Sequence, residues 1–175
     1  SSYERNPVPV IDTSITNLMK LLSTNSYQKG AWVLHMLRQE LGNEIFWEGI
    51  QSFYNQFKNR NALSDDFKNI MEDVSHTSLD KFFEQWLTIP GQPELSVSWV
   101  WNKNNSAVEI QCQQLQNHYI FEFHLELSLV DNKGVAISDT LISISEKNKS
   151  FNWELNNQPD SLIIDPNIKL LFDLK

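Results

Sequence analysis

The sequence predicts a multidomain α+β chain, in which a helical domain precedes an antiparallel β-sandwich. Apolar residues recur every three or four positions up to residue 87, and every second position after Pro93. The segment Pro90–Pro93, which reads Pro-Gly-Gln-Pro, cannot continue a helix and separates the two patterns. The length of 175 residues fits one large or two small domains. We therefore place a helical domain at residues 1–91 and a β-sandwich at residues 94–175.

Four helices are predicted in the first domain. The first covers residues 27–41, where apolar residues recur at steps of three and four and form one stripe, namely Tyr27, Ala31, Leu34, Leu37 and Leu41. Gly42 is expected to end this helix. The second is predicted over residues 45–57. The third begins with Ser64 as its N-cap, and the fourth begins near Ser78.

Short strands are predicted in the second domain. Residues 119–129 alternate most clearly between apolar and polar side chains. Cys112, the single cysteine, alternates with Val108 and Ile110, so we expect it to be a buried core residue. Further strands are expected near residues 95–101, 135–145, 149–155, 161–164 and 170–174. Six or seven short strands within about eighty residues are typical of an antiparallel sandwich.

Charge and hydropathy argue against two classes of partner. The formal net charge is -8, and such a surface repels phosphate backbones, so we expect no nucleic-acid partner. No run of eighteen apolar residues is present, so no membrane span is predicted. Residues 1–16 show no clear periodicity, and Pro7 and Pro9 favour an extended path. We expect an upstream part of a larger protein to hold this segment.

The sequence contains none of the common catalytic or nucleotide-binding motifs, including H-E-x-x-H, the P-loop, C-x-x-C and G-x-S-x-G. The best metal candidate is the set Glu122, His124 and Glu126 on one strand face. Residues two apart on a strand lie roughly 6.5–7 Å apart, so three of them seldom converge on one ion. A solvated outer face is the favoured interpretation. His35 and His76 are expected to be surface or packing residues.

Residues 25–37, which read NSYQKGAWVLHML, carry more information. A tyrosine, one residue, Lys-Gly-Ala, and then Val-Leu and Met-Leu resemble a signature of the gluzincin aminopeptidases. This is the family of alanyl and leucyl aminopeptidases and of leukotriene hydrolase. Phe82–Trp86 followed by Pro90–Pro93 resembles the end of that family's catalytic domain, and Asp165-Pro-Asn followed by Leu170 resembles the close of its β domain. The resemblance covers nearly the whole chain.

The resemblance implies that this chain is the C-terminal part of a zinc metallo-aminopeptidase, which removes N-terminal residues from peptides. In the family, zinc is held by the two histidines of H-E-x-x-H and a downstream glutamate, all upstream of the tyrosine. These elements are absent from the sequence. We therefore expect zinc in the full-length parent, no metal in this chain and no activity of this chain in isolation. The expected partners are the upstream catalytic domain and, through the parent, peptide substrates.

Tyr27 is the one catalytic residue that the resemblance assigns to this chain. The family's matching tyrosine donates its hydroxyl to the oxygen that becomes negative as water attacks the peptide carbonyl, while zinc polarises that oxygen from the other side. A phenol suits this role because it stays protonated at neutral pH. On the apolar pattern by itself, Tyr27 would be the first core residue of its stripe. Lys29 and Gly30 are expected to be structural, as a surface charge and a close helix contact.

The alternative is a non-catalytic interaction or scaffold module from a degenerate relative of this family. The two interpretations differ in what the upstream sequence should contain. An H-E-x-x-H motif followed by a glutamate on the next helix supports the enzyme, and its absence supports the scaffold.

Overall fold

The computed structural model describes residues 8–14, 16 and 24–175. The chain divides into two compact units, Ser1–Gly91 and Gln92–Lys175. The helices lie in the first unit and the strands in the second, which confirms the predicted mixed α+β class. Within the described ranges, no helix is both long and apolar enough to cross a bilayer.

Helices α1 to α4 span Thr24–Leu41, Asn43–Phe57, Ser64–Ser75 and Asp80–Phe83. Helix α4 continues directly into a π-helical turn, Glu84–Thr88, which the sequence did not predict. Gly42 ends α1 as expected, because its φ of 80° is one that side chains disfavour. Ser64 was predicted to be the N-cap of α3, but it is the first residue of that helix, and Leu63 is the N-cap. The Asp66 carboxylate instead accepts the backbone N–H of Leu63 at 2.8 Å.

The buried face of α1 differs from the predicted stripe. Within that stripe only Leu37 is fully buried, whereas Tyr27 and Leu34 are exposed. The core-facing side chains are instead Val33, Met36 and Leu37. Both sets of residues have helical spacing, and the packing of α1 on α2 and on the π-helical turn selects the second set.

The close helix contact lies at Gly49 on α2 rather than at Gly30. A Cβ atom added to Gly49 would lie 2.3 Å from Sδ of Met71 on α3. An added Cβ at Gly30 would meet no described atom within 4 Å, so the expectation for Gly30 is wrong. Gly49 therefore leaves the space that the Met71 side chain fills between α2 and α3.

The second unit contains strands β1 to β7, which span Glu94–Asn102, Ala107–Gln114, Phe123–Val130, Ala136–Ile144, Asn148–Glu154, Ser161–Ile164 and Asp173–Leu174. They form two sheets with the orders β5-β2-β1-β7 and β4-β3-β6. Every pair is antiparallel except β1 with β7, which is parallel and departs from the predicted pattern.

Both sheets contribute side chains to the core of the second unit. Cys112 on β2 is buried, as predicted, and burial raises the pKa of its thiol to about 11. Strand β3 is the middle strand of its sheet, and its last four residues are buried on both faces. Ser128 is therefore buried, although the alternation over residues 119–129 places it on the same polar face as His124 and Glu126.

A candidate catalytic tyrosine on helix α1

Tyr27 lies near the start of α1, and 66% of its surface is exposed. Its side chain therefore takes no part in the core of the helical unit, which argues against the interpretation of Tyr27 as a core residue. The opposite side of the same helix is packed through Val33, Met36 and Leu37. Tyr27 is thus an exposed side chain on a helix whose other face is packed in the core of the helical unit.

Lys29, two residues further along α1, is buried and only 5% exposed. Its Nζ donates hydrogen bonds to the backbone carbonyl of Ile89 at 2.9 Å and to that of Gly91 at 2.7 Å. Burial lowers the pKa of the ammonium from 10.5 to about 8. The expectation of a surface charge at Lys29 is therefore wrong, because this lysine bonds to the segment that follows the π-helical turn.

The histidines of the helical unit have structural surroundings. His35 is half-buried and packs edge-to-face against Trp32, with ring centroids 5.5 Å apart. His76 follows α3 in the left-handed conformation, with a φ of 54°, and is exposed. These positions agree with the prediction that both are surface or packing residues.

The three residues considered as metal ligands on β3 and just before it are not brought together. His124 Nδ1 lies 3.0 Å from the Ser143 hydroxyl. Glu126 pairs with the Lys169 ammonium and accepts the Asn167 amide at 2.9 Å. Partial burial raises the pKa of the Glu126 carboxyl, but the hydrogen bonds from these two partners outweigh burial, and the pKa is lowered overall.

A zinc site does not fit the described part of this chain. Among these residues, there is no group of three histidine, cysteine, aspartate or glutamate side chains close enough together to hold one metal ion. Zinc prefers three or four such ligands at about 2.0–2.3 Å. Tyr27 is therefore a candidate functional residue for which the described residues supply no metal-ligand set.

Sequence reasoning missed the Lys29 contact and the π-helical turn. Lys29 stands four positions before Val33 and eight before Leu37, so it shares their face once that face is known. Its acceptors are backbone carbonyls, which every residue has, so the amino-acid sequence does not indicate which of them accept these hydrogen bonds.

Comparison with known proteins places this helical segment in a family. Residues 1–86 match the model of the peptidase family M1 domain. Probable aminopeptidase 2 of Sulfurisphaera tokodaii is 27% identical over 164 residues, which are 94% of this chain and 19% of that protein. Aminopeptidase N of Escherichia coli is 27% identical over 140 residues, which are 74% of this chain and 16% of that protein.

A solved structure shows the same fold. The crystal structure of Legionella pneumophila aminopeptidase A in complex with aspartic acid superposes with a TM-score of 0.76. The match is 21% identical and covers 92% of this chain and 19% of that one. This chain thus spans about a fifth or less of the length of the relatives it matches. The family match over residues 1–86 and these aminopeptidase relatives confirm the resemblance seen in the sequence and support membership of the M1 family of zinc aminopeptidases.

Proposed function

We propose that this chain is the C-terminal part of a zinc aminopeptidase that removes N-terminal residues from peptides, and that Tyr27 is its contribution to the active site. The observation that carries this proposal is the placement of Tyr27 within the residues that match the M1 domain. Tyr27 is exposed there, while the other side of α1 is packed. A side chain in the core could not reach a substrate.

The chemistry assigned to Tyr27 is hydrogen-bond donation to a developing oxyanion. As the scissile carbonyl is attacked, its oxygen becomes negative, and a fixed neutral donor stabilises that charge more than it stabilises the ground-state carbonyl. A phenol hydroxyl can donate a hydrogen bond without a partner to activate it. The surface of α1 that carries Tyr27 also carries Ala31 and Leu34, both exposed. We infer that the zinc-bearing part of the parent covers this surface.

In this proposal the metal is bound outside this chain, because the described residues offer no ligand set for it. This chain therefore should neither retain zinc nor hydrolyse substrate in isolation. The rest of the catalytic domain is the expected partner of α1, and peptides with a free N-terminus are the expected substrates of the parent.

The test compares the isolated chain with the complete product of its gene, both purified without chelator. We expect the complete protein to hold zinc and to hydrolyse aminoacyl chromogenic amides, and the isolated chain to do neither. One tightly held zinc per isolated chain would contradict the proposal. So would turnover by the isolated chain that survives inhibitor controls and is lost in Tyr27→Phe. A complete protein with neither zinc nor activity would favour the scaffold alternative.

A further inference from the structure

Lys29 is the buried side chain nearest to Tyr27 on α1. Among the described side chains of this helix, residues 27–41, the buried ones are Lys29, Val33, Met36 and Leu37. Val33 lies six positions beyond Tyr27, which is more than one and a half turns of helix. Of these four contacts with the core of the unit, only that of Lys29 lies within one turn of Tyr27.

The position of Tyr27 makes that contact important. Tyr27 is the fourth residue of α1, and the first turn of a helix lacks the intrahelical partners that hold its interior. Such terminal turns are the part of a helix that frays most readily. A contact made within one turn of Tyr27, such as that of Lys29, therefore restrains the phenol more directly than packing further along the helix.

The geometry of the Lys29 contact suits it to fix rotation about the helix axis. Its Nζ bonds to two carbonyls, those of Ile89 and Gly91, which flank Pro90 on both sides. Two acceptors define the direction of the side chain better than one apolar contact does. Residues two apart on an α-helix project about 200° from each other, so fixing Lys29 inward holds Tyr27 outward.

Burying a lysine at this position costs more free energy than burying an apolar side chain would. Lysine is almost never fully buried, and its ammonium loses hydration on burial that an apolar side chain of similar length would not lose. The ammonium donates directional hydrogen bonds, which a methionine side chain could not donate. We propose that Lys29 is a positioning residue, whose bonds to the Ile89 and Gly91 carbonyls hold the first turns of α1 so that the Tyr27 hydroxyl meets the substrate oxyanion. This inference rests on the proposed role of Tyr27.

The test is a double-mutant cycle in the complete, zinc-loaded enzyme. Lys29→Met keeps the length of the side chain and removes its donors. We expect this change to lower kcat by about 10- to 100-fold, the range for a reacting group displaced by up to about 1 Å, with KM and zinc content little changed. In a Tyr27→Phe background the same change should lower kcat by less than about twofold, because the hydroxyl it positions is already gone.

The control is Lys68→Met, which removes a lysine that pairs with Asp80 between α3 and α4 in the same unit. We expect it to leave kcat within about twofold of the parent. If Lys29→Met does not fold, Lys29→Gln, which keeps a neutral donor on a shorter side chain, enters the same cycle.

The outcomes separate this inference from the proposed function. Equal losses from the Lys29 change in both backgrounds would show a general structural role and overturn the inference, as would an unchanged kcat in Lys29→Met. Either result leaves the role of Tyr27 intact, provided that Tyr27→Phe itself lowers kcat. If Tyr27→Phe leaves kcat unchanged, the proposed role of Tyr27 fails, and the positioning role fails with it.

Discussion

Tyr27 and Lys29 lie two residues apart on α1, yet 66% of Tyr27 is exposed and only 5% of Lys29. The helix projects them to opposite sides, one away from the helical unit and one into it. The tyrosine-x-lysine spacing therefore puts the proposed oxyanion donor and the proposed positioning residue on opposite sides of one helix.

The burial of Lys29 should make the stability of the helical unit depend on pH. The pKa is lowered from 10.5 to about 8, so between these values the unfolded chain binds more protons than the folded one. Stability should therefore rise with pH across this window, by up to about 3 kcal/mol at about 1.4 kcal/mol per pKa unit. Below pH 8 the ammonium is charged in both the folded and the unfolded chain. The stability gained at higher pH is then absent.

Lys29→Met should remove that dependence. Urea unfolding of both proteins, followed by far-UV circular dichroism at several pH values from 7 to 10.5, measures the difference. We expect the parent to gain stability relative to Lys29→Met as the pH rises. Parallel profiles for the two proteins would show that the folded chain does not perturb this lysine.

Two glycine-to-alanine changes should have opposite signs. At Gly49 the new methyl would lie 2.3 Å from Sδ of the fully buried Met71, and overpacking of this kind costs about 1–3 kcal/mol. At Gly30 the methyl meets no described atom, so the gain in helix propensity, about 0.5–1 kcal/mol, should appear as added stability. Thermal unfolding of the isolated chain measures both. A stabilising Gly49→Ala would contradict the packing described for α2 and α3, and a destabilising Gly30→Ala would contradict the open space described at Gly30.

Cys112 should resist thiol reagents in the folded chain. It is buried on β2, and burial raises the pKa of its thiol to about 11, so little thiolate forms at neutral pH. A chromogenic disulfide should label it slowly in buffer and rapidly in denaturant. Fast labelling of the folded chain, with one thiol released per chain, would place Cys112 at the surface.

The class of fold could be predicted from apolar spacing, because the period changes from helical to strand-like across Pro90–Pro93. The buried face of α1 could not, since the set with Tyr27 and Leu34 and the set with Lys29 and Val33 both fit a helix. Only the neighbouring elements decide between them. The catalytic role of Tyr27 was predicted from the resemblance of residues 25–37 to a family signature. The apolar spacing by itself had assigned Tyr27 to the core. The acceptors of Lys29 are carbonyls about sixty residues away, and their positions follow from tertiary packing.

Steady-state kinetics of Tyr27→Phe in the complete, zinc-loaded enzyme test the central claim most directly. The change removes one oxygen and keeps the ring. Because the oxyanion exists mainly in the transition state, we expect kcat to fall by about 10²- to 10³-fold, with KM changed much less. Zinc content should stay the same, because Tyr27 is not a proposed ligand.

Tyr54→Phe on α2 is the matched control, since Tyr54 is 67% exposed and the same atom is removed. We expect its kcat to equal that of the parent, while Tyr27→Phe shows the full loss. A Tyr27→Phe enzyme that is folded and zinc-loaded, with kcat within about threefold of the parent, would fall far short of the loss expected for an oxyanion donor and would contradict the assignment of Tyr27.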